Sequence, residues 1–106
     1  MKHEIFHGLS LDQLVEHFES LALEQDEAML RDQLGKYNKL YWEMESVENE
    51  LKSRPGDQRL KLLTLFGHAN AQVRMKAAEA TLAVAPEAAR KMLETIATRA
   101  SFRRRA

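Results

Sequence analysis

Residues 62–97 read LLTLFGHANAQVRMKAAEATLAVAPEAARKMLETIA, and this stretch decides the fold. Apolar residues recur at helical spacing on both sides of a short polar break at residues 68–70. Gly67 suits the left-handed turn that closes a helix, and Asn70 is a strong N-cap for the next one. Pro86 fits the first turn of a further helix, where its missing N–H costs little. The stretch therefore predicts three consecutive helices joined by short turns.

Two longer helices are predicted ahead of this stretch. Ser10 and Gln13 form a capping-box pattern, and the first helix then runs to about residue 30. Its apolar residues follow the spacing of an amphipathic helix: Leu11, Leu14, Val15, Phe18, Leu21 and Ala22. The second helix stops before Pro55-Gly56, and its apolar seam consists of Tyr37, Leu40, Met44, Val47 and Leu51. Such a narrow seam is typical of two long helices lying side by side.

The chain is therefore expected to be a single all-α domain of about five antiparallel helices, with no strand. Residues 1–9 are predicted to be a loose lead-in, residues 10–53 an acidic two-helix cap, and residues 57–100 three repeat-like helices. The first of those three has a predicted apolar face of Leu60, Leu63, Leu65 and Phe66. Residues 101–106 are predicted to be a frayed basic tail.

The spacing Val73-Arg74-x-x-Ala77-Ala78 resembles part of a HEAT repeat. The resemblance implies an α–α superhelix of the HEAT/armadillo kind, in which the first two helices cap the repeat-like ones. In that family the arginine commonly pairs with an acidic residue six positions earlier. His68 occupies that position here, so we expect Arg74 to organise the hairpin with a partner that offers a hydrogen bond but no charge.

Roughly residues 10–98 also resemble an uncharacterised family of small bacterial all-helical proteins. The likeness is carried by KYNKL at residues 36–40, NxxVRxxAA at residues 70–78 and AVAPExA at residues 83–89. This resemblance implies a fold and no assigned activity.

Composition and charge exclude several classes of function. The absence of cysteine rules out disulfides and thiolate metal sites and suits a reducing cytoplasm. Neither a secretory signal nor an apolar run of membrane length is visible. Residues 1–53 hold five Lys or Arg against twelve Asp or Glu, and residues 54–106 hold eleven against four, so the halves carry −7 and +7. This split favours neutralisation within the fold, an oppositely charged partner, or head-to-tail self-association.

The sequence His3-Glu4-x-x-His7 matches the zinc-metalloprotease motif, in which two histidines bind the metal and the glutamate is the general base. The match lies at the N-terminus, directly before Gly8, and no third ligand is singled out. We therefore expect no metal, cofactor or catalytic site. A minimal zinc hydrolase remains a third hypothesis for function.

Tyr41 and Trp42 are the candidate partner-binding residues. They cannot both face the seam that contains Leu40, so at least one is expected at an interface, where Tyr and Trp are favoured. Asn70, Arg74 and Pro86 are assigned structural roles.

The predicted function is a non-enzymatic, cytoplasmic protein–protein interaction module that neutralises or scaffolds a partner protein. A homodimer is also expected, because so short a stack leaves its C-terminal end uncovered. The alternative is a nucleic-acid-associated protein that uses the basic C-terminal half. The acidic N-terminal half makes nucleic acid the less favoured partner, and no membrane partner is expected.

Overall fold

The computed structural model describes the backbone of residues 6–105 and the side chains of residues 6–99. From residue 11 onward the described chain forms five helical elements, and the part that the structure describes contains no strand. In chain order the elements are α1 (Leu11–Leu30), α2 (Leu34–Ser53), a 3-10 segment (Gln58–Gly67), α3 (Ala71–Thr81) and α4 (Pro86–Arg105). The prediction of an all-helical chain with five helices is confirmed.

Helix α1 begins at the predicted capping box. The Gln13 N–H donates to Ser10 Oγ at 3.1 Å, and Gln13 Oε1 accepts from the Ser10 N–H at 2.9 Å. These contacts satisfy N–H groups that the start of a helix leaves unpaired. The helix gives way to a turn at Arg31 and Asp32, and Asp32 has a left-handed φ of 55°.

Helices α1 and α2 form the most extensive helix pair in the structure. The turn between them covers only residues 31–33, so the two helices run antiparallel. Tyr37, at the start of the predicted seam on α2, is half-buried, and the other members of the seam are buried: Leu40, Met44, Val47 and Leu51. Together with the fully buried Phe18 of α1 they belong to one continuous core.

The third element is a 3-10 helix, and this changes which leucines are buried. A 3-10 helix has about three residues per turn, so residues three apart share a face. Leu62 and Leu65 are therefore buried, whereas Leu60 is 47% exposed. Leu63 and Phe66 are half-buried. The predicted apolar face, which grouped Leu60 and Leu63 with Leu65 and Phe66, contained Leu65 but missed Leu62, because the spacing of four leucines within six residues does not show which of them face the core.

The predicted left-handed turn at Gly67 is also absent. Gly67 is the last residue of the 3-10 segment, and the segment closes when the His68 N–H donates to the Leu65 carbonyl at 3.0 Å. Left-handed residues lie instead just before the segment, where Gly56 has a φ of 81° and Asp57 a φ of 52°. Glycine tolerates such values of φ without steric cost, so the sharp turn falls at residue 56.

Helix α3 packs against α1, the 3-10 segment and α4. Apart from Gln72, its buried residues are small or medium in size, which lets the neighbouring helices approach closely: Val73, Ala77, Ala78, Ala80 and Thr81. Helix α4 contacts mainly α3. Its backbone continues as a helix to Arg105, over the stretch for which a frayed tail was predicted. Arginine is a good helix former, and residues 101–105 contain neither Gly nor Pro that would stop the helix.

Residues 6–9 are hydrogen-bonded to the end of α2, although residues 1–9 were predicted to be a loose lead-in. Phe6 is buried, and its carbonyl accepts a hydrogen bond from Arg54 Nη2 at 3.0 Å. The Leu9 carbonyl accepts from the same nitrogen at 2.8 Å. Arg54 Nε in turn donates to Glu50 Oε2 at 2.6 Å. The end of α2 thus holds the segment that leads into α1, while residues 1–5 lie outside the described part.

Candidate functional site

The candidate site begins with two adjacent aromatic residues on α2. Successive residues of an α-helix are rotated by about 100°, so Tyr41 and Trp42 point away from the core that buries Leu40. Tyr41 is 45% exposed and Trp42 is 64% exposed. Their rings pack edge to face, with centroids 5.3 Å apart and planes at 85°. This geometry is a favourable one for aromatic pairs, and it leaves a large apolar area in water.

Lys76 of α3, on the neighbouring helix, contacts Tyr41 of this pair and also Tyr37. Its Nζ lies 5.6 Å from the centroid of the Tyr41 ring and 5.7 Å from that of Tyr37. The same Nζ lies 3.3 Å from Glu79 Oε1. Burial lowers the pKa of Lys76, but the Glu79 carboxylate and the Tyr37 hydroxyl outweigh it, so the pKa of Lys76 is raised. A charged Lys76 therefore ties α3 to the aromatic residues of α2.

An acidic cleft of about 470 Å³ lies beside Tyr41, between α2 and α3. The residues that give it polarity are Glu45, Glu48, Asn49, Lys76 and Glu79, and Met44 and Leu82 also line it. We refer to Tyr41, Trp42 and this cleft together as the aromatic face. Three glutamates against one lysine give the cleft a negative formal charge.

Glu48 has the most perturbed carboxyl group of this cleft. Burial and the neighbouring Glu45 and Glu79 carboxylates raise its pKa from the usual 4.5 to about 7, against the opposing effect of Arg59 and Lys76. The folded chain therefore still holds this proton at a pH at which the unfolded chain has lost it. Because the folded state binds more protons in this window, its stability falls as the pH rises from 4.5 to about 7.

The variant Glu48→Gln should remove this pH dependence. At about pH 8 we expect its free energy of unfolding to exceed that of the wild type by on the order of 1–2 kcal/mol, and at about pH 5 the two should be nearly equal. Urea unfolding of dilute protein at both pH values measures the difference. Glu24→Gln, on the exposed surface of α1, is the control and should change neither value. Parallel pH profiles for the wild type and Glu48→Gln would contradict the prediction.

The residues that were assigned structural roles lie away from the aromatic face. Asn70 caps α3, because its Oδ1 accepts from the Val73 N–H at 3.1 Å. Arg74 Nη1 donates to the carbonyls of His68 and Ala69 at 2.6 and 2.9 Å, so its partner at position 68 is the backbone and not the imidazole. Pro86 is the first residue of α4.

A seam of polar contacts joins α1 to the start of α3. Its three contacts are Glu19 with His68 at 2.7 Å, Asn70 with Asp26 at 2.9 Å, and Gln72 with Gln25 at 3.3 Å. His68 Nδ1 accepts from the Asn70 N–H at 3.0 Å, so its Nε2 carries the proton that is donated to Glu19. Both nitrogens of His68 are therefore used in holding the fold.

The zinc-motif match falls mostly outside the described residues, since His3 and Glu4 are not described. His7 Nδ1 lies 3.1 Å from Glu50 Oε1, on the carboxylate that also binds Arg54. Among the residues that the structure describes, no group of three or more His, Asp or Glu side chains could hold a metal ion.

Lys76 and Glu79 were missed as site residues from the sequence. Their spacing of three does mark an ion pair on one face of a helix. Nothing local, however, shows that this face lies over Tyr41 and Glu48, which are about 30 residues away in the chain. Glu45 and Glu48 stand out in the sequence only as two acidic residues on one helix face.

These features define the class of protein: a small all-helical domain with an exposed aromatic face. A family model described as Domain of unknown function (DUF2019) matches residues 12–105, and the chain belongs to this family. This confirms the prediction of a helical family of unknown function.

The chain is also similar to a solved structure, the crystal structure of protein RPA1889 from the bacterium Rhodopseudomonas palustris CGA009. The two are 46% identical with a TM-score of 0.82, over 84% of this chain and 74% of that one. A comparison with curated proteins gave no match. Within the described residues, no helix is long and apolar enough to span a membrane.

Proposed function

We propose that the chain is a non-catalytic module that binds another protein through the aromatic face of α2. The observation that carries the proposal is Trp42, a tryptophan that is 64% exposed in the middle of a well-packed helix. Trp and Tyr are enriched among the residues that dominate binding energy at protein interfaces. An exposed tryptophan beside an exposed tyrosine supports a surface that is covered in a complex.

The rigidity of the face also supports a binding role. Tyr41 packs edge to face with Trp42 and lies under Lys76, and Lys76 pairs with Glu79. A side chain that is fixed before binding loses little conformational entropy when the partner arrives. The negative cleft beside it supplies polar groups that can set orientation and specificity.

The arrangement of the last three elements fits a HEAT-like hairpin within an α–α superhelix. Arg74 reaches from α3 to the carbonyls of His68 and Ala69, which links the end of the 3-10 segment to α3. Asn70 caps α3 and also binds Asp26 of α1, so the first two helices meet the hairpin as a cap would. In such a stack the exposed helix surfaces, and not an enclosed pocket, are used for binding.

The test of the proposed function is Trp42→Ala. Because Trp42 is exposed, the variant should keep the helical circular-dichroism signal of the wild type. It should bind its partner at least 30-fold more weakly, which corresponds to a loss of about 2 kcal/mol. Affinity purification from lysates of the native host identifies the proteins that the wild type retains, and titration with each purified candidate then gives the loss in affinity.

The matched control is Leu30→Ala. Leu30 is a large apolar residue that is even more exposed than Trp42, but it lies at the turn between α1 and α2. Its loss should leave the retained proteins and their affinities unchanged. If Trp42→Ala retains the same proteins with the same affinities as the wild type, the aromatic face is not the binding surface.

A further inference from the structure

We propose that the aromatic face is occupied by a second copy of this chain, whose helix α4 lies across it. The arrangement is reciprocal, so that each copy gives one aromatic face and one α4 to a two-fold symmetric dimer. This inference rests on the proposed function, because it names the partner of the same face.

Among the described side chains of the α-helices, those of α4 are the least covered. Only Ala89 of its described residues is buried and Met92, Leu93 and Ile96 are half-buried, while the helix as a whole packs mainly on α3. The exposed aromatic rings of α2 and the incompletely covered aliphatic residues of α4 are two apolar surfaces that one copy does not bring together. A second copy can cover both at once.

The charges of the two surfaces are opposite. Neither Glu45 nor Glu48 forms an ion pair with a described residue, and both line the cleft beside Tyr41. Helix α4 carries the exposed cations Arg90, Lys91 and Arg99, and these also form no ion pair within the described part of the chain. It also carries two exposed glutamates, Glu87 and Glu94, but over residues 86–105 the sequence has six Lys or Arg against these two, which gives the helix a net charge of +4. The net charge of α4 is therefore opposite to that of the cleft.

Two-fold symmetry follows from having both surfaces on one chain. The halves of the sequence carry −7 and +7, so an antiparallel pair sets each acidic half against the basic half of the other copy. Such a contact is closed in a pair, whereas a head-to-tail contact either needs a ring of several copies to close or extends as a filament whose ends leave one surface of each kind exposed. The dimer is thus the smallest assembly that covers every such surface.

The environment of Glu48 predicts how the dimer responds to pH. The charged groups that face it are Glu45 on α2, Arg59 on the 3-10 segment, and Lys76 and Glu79 on α3. Together with burial they hold its pKa at about 7 in a single copy. Cations from a second copy favour the carboxylate, so dimer formation releases a proton. The dimer should therefore strengthen as the pH rises through about 7, and added salt should weaken it.

The experiment is analytical ultracentrifugation of the full chain over a range of concentrations. The wild type is expected to dimerise. Two variants should each be monomeric at the same concentrations: Glu45→Lys/Glu48→Lys, which reverses the charge of the cleft, and Arg90→Glu/Lys91→Glu, which reverses the charge on α4. A mixture of the two variants should form a heterodimer, because the reversed cleft then meets the reversed α4 while the two unchanged surfaces meet each other. Trp42→Ala should weaken the wild-type dimer at least 30-fold.

Several results would overturn the inference. These are a wild type that stays monomeric, a dimer that neither charge reversal weakens, or variants that remain monomeric when mixed. If circular dichroism shows that the cleft variant does not fold, Glu45→Gln/Glu48→Gln replaces it and must still weaken the dimer. A monomeric wild type that retains another protein through Trp42 would refute self-pairing and leave the proposed function standing.

Discussion

Removal of the Arg54 side chain should lower the free energy of unfolding by about 3 kcal/mol, because it leaves a buried carboxylate without its cation. The Glu50 side chain is only 5% exposed and that of Arg54 only 22%. In Arg54→Ala the Glu50 carboxylate would keep its contact with His7 Nδ1 at 3.1 Å, and the His7 side chain is largely in water. The carbonyls of Phe6 and Leu9 would lose their donor as well.

The chain contains a matched control for this variant. Glu27 and Arg31 form an ion pair with the same i, i+4 spacing, at 3.0 Å, but their side chains are 63% and 67% exposed. Exposed pairs of this kind contribute about 0.3–0.5 kcal/mol, so Arg31→Ala should have almost no effect. Urea unfolding of both variants compares the free energies lost from two ion pairs of the same spacing, one buried and one exposed to solvent. Equal losses for Arg54→Ala and Arg31→Ala would show that burial does not set the strength of the Glu50–Arg54 pair.

The Arg54→Ala variant should also loosen residues 6–9. Arg54 Nη2 binds carbonyls 45 and 48 positions earlier in the chain, so it fixes this segment against the end of α2. In Arg54→Ala the backbone amides near Leu9 should exchange their hydrogens faster than in the wild type. This increase in rate should be larger than the increase for amides in the core. Arg54→Lys keeps the charge but not the planar fork that serves several acceptors, and it should give an intermediate result.

The elements that could be predicted from the sequence are those whose causes are local. Ser10, Asn70 and Pro86 mark helix starts through contacts or constraints that lie within a few residues, and each helix begins there in the structure. The 3-10 segment could not be predicted as such, because a run rich in leucine satisfies a period of 3.0 as well as one of 3.6. The role of Arg54 was invisible for a different reason, since its acceptors are carbonyls far away in the sequence.

The same distinction applies to the aromatic face. The outward direction of Tyr41 and Trp42 follows from their positions next to Leu40 on one helix, so it can be predicted from the sequence. The unusual pKa of Glu48 does not follow, because it depends on burial and on Glu79, Arg59 and Lys76, which belong to other elements. A local pattern can thus predict which residues are exposed, whereas the charge environment of a cleft depends on the packing of helices that are distant in sequence.

The second large effect is expected for Phe18→Ala. Phe18 is fully buried at 0% exposure, in a core to which α2, the 3-10 segment and α3 also contribute: Val47, Leu62 and Val73. Truncation of a buried phenylalanine costs about 3–5 kcal/mol, because it removes apolar burial and leaves a cavity that neighbours fill only in part. A domain of this size has a total stability of about 5–15 kcal/mol, so the variant should be close to unfolding. Its thermal midpoint should fall by roughly 10–25 °C.

Trp42→Ala is the control for Phe18→Ala, because it also deletes an aromatic ring but removes it from the surface and not from the core. Trp42 is exposed, so the loss in unfolding free energy should stay within about 0.5 kcal/mol, while partner binding is lost. Phe18→Ala should show the reverse: a large loss in stability, and normal binding by the fraction that remains folded once the temperature is lowered. Thermal unfolding followed by circular dichroism, with binding measured on the same samples, separates the two roles. A loss of more than about 2 kcal/mol in Trp42→Ala would mean that this tryptophan stabilises the fold, and the aromatic face would then lose its principal support as a binding surface.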